Sequence, residues 1–178
     1  MLLTLLCAAI THLEGDEATL SAVWACFAHV AHHVLPIDQT ILAVLDLDRD
    51  TLLGFVHHRV GTIYTPAHAL AFVTDPFYYS VRMNLASLHG PSFLELGQGP
   101  LFQQCRKALA RIADGDQERC YLLLDQFAYF LAMRMEGTNT LARSRKMKPA
   151  SVWAQVDDHD MRDLANVLVQ VHSNPDVP

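Results

Sequence analysis

The chain has 178 residues, which is enough to bury a hydrophobic core without metals or disulfides. Hydrophobic residues make up 51% of it and charged residues 18%, a composition typical of a folded domain and not of a disordered chain. The formal net charge of −6 argues against broad, non-specific binding of nucleic acid, because phosphate binding draws its energy from Lys and Arg.

The cysteines and the N-terminal residues indicate the cellular compartment in which we expect the protein. Cys7, Cys26, Cys105 and Cys120 form no CxxC pair, so we expect buried free thiols in a reducing compartment. The opening MLLTLLCAAI is apolar, but it lacks the positive region and the cleavage site of a signal peptide. It is also far shorter than the about 20 residues that span a bilayer. We therefore predict a buried or amphipathic first helix that begins mid-domain, and an intracellular protein that is neither secreted nor attached to a membrane.

Helical spacing dominates the first third of the chain. One predicted helix, stopped by Pro36, has an apolar face formed by Leu20, Val23, Phe27, Val30 and Val34. Another begins at an N-cap, Asp48 or Asp50, and ends at Gly61. Its apolar positions are Leu52, Leu53, Val56 and Val60.

Prolines and glycines mark the elements of the middle of the chain. A brief helix is predicted over residues 67–73, between Pro66 and Pro76, and a loop over residues 88–99. Pro100 stands at the first position of the next helix, with Leu101, Leu109 and Ile112 among its apolar residues. A link at residues 114–116 leads into a helix over residues 117–136, closed by Gly137. We expect its aromatic residues to be mostly buried: Tyr121, Phe127, Tyr129 and Phe130.

The chain becomes polar and basic after residue 137. Phosphate contact is plausible only at the basic cluster of this segment, whose position in a loop suits contact with a nucleic-acid backbone. The alternative is a solvated loop. The cluster consists of Arg143, Arg145, Lys146 and Lys148.

A last helix is predicted over residues 158–171, with Leu164, Val167, Leu168 and Val171 on one face. Because period-two alternation is nowhere sustained, the predicted fold class is all-α or mainly α, built of helical hairpins.

Candidate metal sites are incomplete in the sequence. His29, His32 and His33 have helical spacing, but the nearest further pair, His57 and His58, points in different directions on a helix. The acidic run at residues 46–50 resembles the opening of a calcium-binding EF-hand loop, yet Thr51 and His57 occupy the positions of its Gly and Glu. We interpret these acids as helix caps, and we expect no metal and no cofactor.

No catalytic motif is present either. The sequence has no GxSxG, P-loop, GxGxxG or HxE…CxxC pattern, and Ser80 and Ser87 have no recognisable base nearby. The run Asp157-Asp158-His159-Asp160 lies at the start of the last predicted helix, so it is interpreted as the capping region of that helix. The sequence therefore predicts no catalytic residue.

Three stretches together resemble the hAT superfamily of DNA transposases. Residues 63–78 are similar to the family signature hP-x-H-x-x-A-x-x-L-D-P-r-a, and the matching positions are His68, Ala71, Asp75 and Pro76. Thr74 and Phe77 depart from it. Residues 149–153 resemble the step p-x-x-W-W, in which Trp153 is kept and Ala154 replaces the second tryptophan. Residues 164–175, starting with Leu164, resemble the stretch that leads to the family's C-terminal dimerisation segment.

The resemblance implies part of an RNase H-like domain that is interrupted by a helical insertion. The family joins DNA strands with three acidic residues that hold divalent metal ions. Two of them belong to strands before the insertion and the third to an E-R segment after the last helix. Since the sequence contains none of these segments, we expect a catalytically inactive fragment and transfer no catalytic residue to it. The matched residues that we expect to have structural roles are His68, Asp75, Pro76, Trp153 and Leu164.

The same resemblance implies how the chain is organised and which partners it has. We expect an insertion-like helical domain at residues 1–137, and a basic loop with a terminal helix at residues 138–178. The resemblance implies a nuclear protein that associates with itself or with related transposase chains and has at most weak contact with DNA. The alternative is a stand-alone helical module that binds another protein and has no transposase ancestry.

Overall fold

A computed structural model describes residues 7, 11, 19–34, 37–44, 46–63, 65–80, 100–135 and 147–173. Every regular element in these ranges is a helix and none is a strand, which confirms the mainly helical fold class. The chain forms two compact units, residues 1–65 and residues 66–178. The boundary that we expect between residues 137 and 138 lies within the second unit, outside the described ranges, and stays a prediction. The loop predicted at residues 88–99 also lies outside them.

The first unit contains three described helices: α1 (Leu20–Val34), α2 (Gln39–Val44) and α3 (Arg49–Ile63). Helix α1 packs against α3. The helix predicted ahead of Pro36 is confirmed as α1, and among its described side chains the buried apolar residues are Ala22, Trp24 and Val30. Trp24 was not on the predicted apolar face, because the three-and-four spacing selected the neighbouring residues.

Side-chain caps explain where α2 and α3 begin. The Asp38 carboxylate accepts a hydrogen bond from the Thr40 backbone N–H at 2.8 Å, which caps α2, a helix that the sequence analysis missed. Asp48 caps α3, since its Oδ1 accepts from the Thr51 backbone N–H at 2.7 Å. The interpretation of Asp48 as a helix cap is thus confirmed. These hydrogen bonds lower the pKa of both carboxyl groups, with the Thr40 backbone bond the largest cause at Asp38 and the Thr51 side-chain bond the largest at Asp48.

The predicted end of α3 at Gly61 is wrong. The helix continues to Ile63, with Gly61 inside it. A glycine within a helix costs only about 1 kcal/mol, and tertiary packing overrides a penalty of that size. The stop comes just before Pro66, which disfavours the helical conformation in the residue ahead of it.

The second unit contains six described α-helices. They are α4 (Pro66–Thr74), α5 (Pro76–Ser80), α6 (Pro100–Ile112), α7 (Gln117–Met135), α8 (Pro149–Trp153) and α9 (Arg162–Ser173), and α9 is preceded by a 3-10 turn at His159–Met161. The helices predicted over residues 67–73 and 117–136 agree with α4 and α7 to within one residue at each end. Helices α5 and α8 were not predicted, although each begins with a proline at its first position.

Helix α4 is the centre of the second unit. All its residues from Ala67 to Thr74 are buried, and it packs against α5, α6 and α9. A helix that is apolar on all sides is stable only when neighbours cover it from several directions. The part of the first signature-like stretch that forms α4 thus lies in the core of this unit, whereas Phe77, just after it, is exposed.

The α6–α7 hairpin turns at Asp114, Gly115 and Asp116, as predicted. Asp114 and Gly115 have positive φ angles of 51° and 84°, and Asp116 then caps α7 by accepting from the Arg119 backbone N–H at 3.0 Å. Left-handed backbone is favourable for glycine and costs other residues more. The sequence Asp-Gly-Asp therefore supplies both the turn and the next cap.

We expect Gly115→Ala to destabilise the second unit by about 1 kcal/mol, because alanine at a φ of 84° is strained although its Cβ would meet no atom within 4 Å. Gly54→Ala is the matched control. Gly54 lies inside α3 and also has open space around it, so this change should be neutral or stabilising. Urea unfolding of both variants measures the two effects, and equal stabilisation by both would contradict the role of Gly115.

The expectation that the α7 aromatics are mostly buried is only half right. Phe127 and Phe130 are buried, whereas Tyr121 and Tyr129 are 67% and 42% exposed. Their positions on the helix explain the difference. Leu123, Phe127, Phe130 and Leu131 are spaced by four, three and one, so they share one face that contacts the core, and the tyrosines lie on the other face.

The last helix has the predicted apolar face, whereas the cysteines are less buried than predicted. The apolar residues predicted to share one face of the final helix are all buried on α9: Leu164, Val167, Leu168 and Val171. Asp158 caps the preceding 3-10 turn by accepting from the Asp160 backbone N–H. The cysteines are free, as expected, but only Cys105 is fully buried and Cys7 is exposed. None of the described helices has the length and apolar character needed to cross a membrane.

Candidate functional site

The junction between α4 and α5 is built by Asp75 and Pro76. Asp75 is buried, and its Oδ1 accepts a hydrogen bond from the Phe77 backbone N–H at 2.9 Å. This bond caps α5, whose first residue is Pro76. The Asp-Pro pair of the first matched stretch therefore ends one helix and starts the next within two residues.

Thr74, the last residue of α4, is fully buried and is the centre of a polar cluster that extends to the half-buried His172. Its hydroxyl donates to the Leu70 carbonyl at 2.7 Å and lies 3.1 Å from Nε2 of His172 on α9. Its backbone carbonyl accepts from the indole Nε1–H of Trp153 on α8 at 2.8 Å. We call Thr74, Trp153 and His172 the Thr74 cluster. It joins α4, α8 and α9 through contacts between residues far apart in the sequence.

The hydrogen bonds of Thr74 fix the tautomer of His172. A hydroxyl group has one proton, and that of Thr74 is directed to Leu70 O. His172 Nε2 must then donate to the Thr74 oxygen, so we assign the neutral Nε2–H tautomer. Burial lowers the pKa of His172 to about 4, because the charged imidazolium loses its hydration. The ring is therefore neutral at physiological pH.

Trp153 also anchors the aromatic part of the core. It is only 1% exposed, and its ring meets that of Phe130 on α7 edge to face, with centroids 5.3 Å apart. Phe130 continues the contact toward Phe127, with centroids 6.3 Å apart. Such aromatic pairs add to the stabilisation that burial of the rings provides. The single tryptophan kept from the second matched stretch is thus a central packing residue.

Gln126 forms a second polar contact, between α7 and the start of α9. Its Oε1 accepts from the Leu164 backbone N–H at 2.7 Å, and its Nε2 donates to Oδ2 of Asp163 at 3.2 Å. The first N–H groups of an α-helix have no acceptor within the helix. The Gln126 side chain supplies one from a neighbouring helix and so fixes where α9 begins relative to α7.

We expect Gln126→Met to destabilise the second unit by about 1–3 kcal/mol, because it removes the acceptor of a buried N–H group while keeping the side-chain volume. Gln117→Met, at an exposed position of the same helix, is the matched control and should change stability by less than about 0.5 kcal/mol. Chemical denaturation followed by circular dichroism gives both values. Equal effects of the two substitutions would show that the Gln126 hydrogen bonds contribute nothing.

The structure brings some of the predicted structural residues together and separates others. Asp75, Pro76 and Trp153 meet around the end of α4, whereas His68 is buried nearly two turns earlier in that helix and Leu164 is buried beside Gln126. The sequence analysis missed Thr74, Gln126 and His172. Thr74 had been noted only as a departure from the family signature, and no local pattern marks the other two.

The predicted nucleic-acid contacts remain largely outside the described residues. Arg143, Arg145 and Lys146 fall outside them, while Lys148 is exposed immediately before α8. The side chains of His29, His32, His33 and His57 are also outside the described part. Among the side chains that are described, no group of three His, Cys, Asp or Glu residues is placed to hold a metal ion.

The Thr74 cluster has the chemistry of a packing contact. The Thr74 side chain is fully buried, so its hydroxyl cannot reach a substrate. His172 and Trp153 direct their polar hydrogens at that one residue, and Asp75 directs a carboxylate oxygen at a helix N-terminus. These groups hold helices in register.

The outer face of α7 has a different character. Tyr121, Leu122 and Tyr129 are exposed on it, together with the acidic residues Glu118 and Asp125. We call these five residues the α7 strip. Large apolar side chains that gather on one face of a well-packed unit mark surfaces that bind other molecules. The α7 strip is therefore the candidate binding surface of the second unit.

Comparison with known proteins gives no relative: no family model, no curated protein and no solved structure matches this chain.

Proposed function

We propose that this chain is a non-catalytic helical module of transposase descent that acts by binding other protein chains. The observation that carries the proposal is the convergence of the three hAT-like stretches on the Thr74 cluster. Thr74 comes from the first stretch, Trp153 from the second and His172 from the third, and hydrogen bonds connect them directly. Segments that share a common origin are expected to keep such mutual contacts, because each one completes the core of the others.

Exposed apolar side chains support a binding role for the module. In the second unit they include Phe77, Tyr121, Leu122 and Tyr129, and in the first unit Val44 and Phe55 are 85% and 62% exposed. A remnant of a larger assembly is expected to carry apolar surface where other segments or chains once packed. Under this proposal the protein acts in the nucleus, and the basic segment at residues 143–148 adds at most weak contact with DNA.

The reading frame around the gene tests the descent. We expect strands carrying acidic residues to be encoded upstream, or an E-R segment to be encoded downstream, even if mutations interrupt them. Flanking sequence with neither would contradict the transposase origin. A strand-joining assay on terminal-repeat DNA with Mg²⁺ or Mn²⁺ tests the other half of the proposal, and metal-dependent cleavage by the purified chain would contradict a non-catalytic module.

A stand-alone interaction module without transposase ancestry is the second candidate. The complete burial of α4 favours it, since the second unit encloses a core of its own. This candidate predicts a monodisperse chain that melts in one cooperative transition. Broad melting or concentration-dependent aggregation in light scattering would count against it. A monodisperse chain whose flanking sequence encodes neither acidic strands nor an E-R segment would favour it over the transposase remnant.

A further inference from the structure

The α7 strip is continuous along the helix. Its members, Glu118, Tyr121, Leu122, Asp125 and Tyr129, follow one another at steps of three, one, three and four residues. At 3.6 residues per turn these steps place all five within roughly 100° of the helix circumference. That is the width of the apolar stripe by which one helix ordinarily packs on another.

The chemistry of the strip combines aromatic surface with negative charge. Tyr121, Leu122 and Tyr129 are 67%, 44% and 42% exposed. Within the described part of the chain, neither Glu118 nor Asp125 forms a salt bridge or a side-chain hydrogen bond. Tyrosine is enriched among residues that dominate interface energetics, and uncompensated carboxylates favour a partner of opposite charge.

We propose that the α7 strip binds a basic amphipathic helix of another protein. The apolar face of the partner helix would pack on the two tyrosines and Leu122, and the Lys or Arg side chains of that helix would pair with Glu118 and Asp125. An apolar stripe on one helix packs well against an apolar stripe on a second helix, because the side-chain ridges of each fit the grooves of the other. This inference rests on the proposed function, to which it adds the class of partner.

Charge selects this partner over a second copy of the chain. Two α7 strips in contact would bring four carboxylates together, with Arg119 of each copy as the nearest opposite charge along the helix. Like charges placed in one contact are unfavourable and suppress the wrong pairing. A basic helix meets the same carboxylates with opposite charge.

Selection from a displayed library of random helical peptides of about four turns, with the full chain as target, tests the inference. We expect enriched peptides to carry apolar residues at helical spacing flanked by Lys or Arg. Tyr129→Ala and Asp125→Lys should each weaken the selected peptides at least about tenfold in fluorescence anisotropy. Raising the salt concentration should weaken binding to the native chain more than to Asp125→Lys.

Two matched controls separate the strip from the rest of the surface. Phe77→Ala removes an exposed aromatic residue of α5, and Asp157→Lys reverses an exposed acid outside the strip. Both should leave peptide affinity unchanged. Circular dichroism of every variant confirms that it is folded.

Three outcomes would overturn the inference: no enriched peptide, enriched peptides without basic residues, or peptides that bind Tyr129→Ala as tightly as the native chain. Self-association in light scattering that Tyr129→Ala abolishes would also overturn it, by identifying a second copy as the occupant. Selected peptides that bind elsewhere on the chain would refute the strip as the site while leaving the proposed interaction module intact.

Discussion

Trp153→Ala should lower the free energy of unfolding of the second unit by about 3–5 kcal/mol, the range for truncating a large buried aromatic residue. The tryptophan is 1% exposed, packs on Phe130 and donates to the Thr74 carbonyl, so its loss leaves a cavity and removes a buried hydrogen bond. Because domains of this size are stable by only about 5–15 kcal/mol, this one change removes much of the margin. Urea unfolding followed by far-ultraviolet circular dichroism measures it.

Trp153→Phe divides the effect into its two parts. Phenylalanine keeps an aromatic ring against Phe130 but has no N–H group, so we expect a smaller loss of about 1–3 kcal/mol. A loss below about 1 kcal/mol for Trp153→Ala would contradict the central position of this residue. Equal losses for the two variants would assign the whole effect to the hydrogen bond with Thr74.

Acidification should lower the free energy of unfolding through protonation of His172 in the unfolded state. Its pKa is about 4 in the folded chain and 6.5 when unperturbed, so between these values the unfolded state binds a proton that the folded state does not. The free energy of unfolding is therefore undiminished above pH 6.5, falls as the pH drops, and changes no further through this group below about pH 4. Between pH 6.5 and 5 the expected loss is about 2 kcal/mol.

Two histidine variants isolate this contribution from the other titrating groups. His172→Gln keeps a side-chain N–H donor but does not titrate, so the slope of stability against pH between 6.5 and 5 should become smaller. His159→Gln changes an exposed histidine and should keep the native slope. Trp24→Phe, as a common background, leaves Trp153 as the only tryptophan reporting on the second unit. Identical slopes for both glutamine variants would contradict the role of His172.

Local signals in the sequence account for most of the helix positions. Pro100, the Asp114–Asp116 turn and the caps Asp48 and Asp158 act through the neighbouring backbone, so they can be identified without knowing the fold. Burial on α7 could also have been predicted. The spacing of Leu123, Phe127 and Phe130 marks the core face, whereas counting aromatic residues without regard to spacing placed Tyr121 and Tyr129 in the core.

The Thr74 cluster could not be predicted in the same way. The partners of Thr74 lie 79 residues away at Trp153 and 98 residues away at His172, and no local pattern encodes such pairings. The family resemblance singled out Trp153 but treated Thr74 as a mismatch. Its hydroxyl can accept a hydrogen bond from His172 while donating to Leu70, and a leucine at this position could do neither.

The burial of α4 on all sides has a consequence for the synthesis of the protein. A ribosome releases α4 well before α8 and α9, whose contacts with Thr74 are separated from it by 79 and 98 residues. At about 5–20 residues per second, the helix waits several seconds or more for the segments that complete its cover. During that interval α4 lacks the cover that α9 provides in the folded chain, and a pause in translation before α8 prolongs the exposure of its apolar side chains.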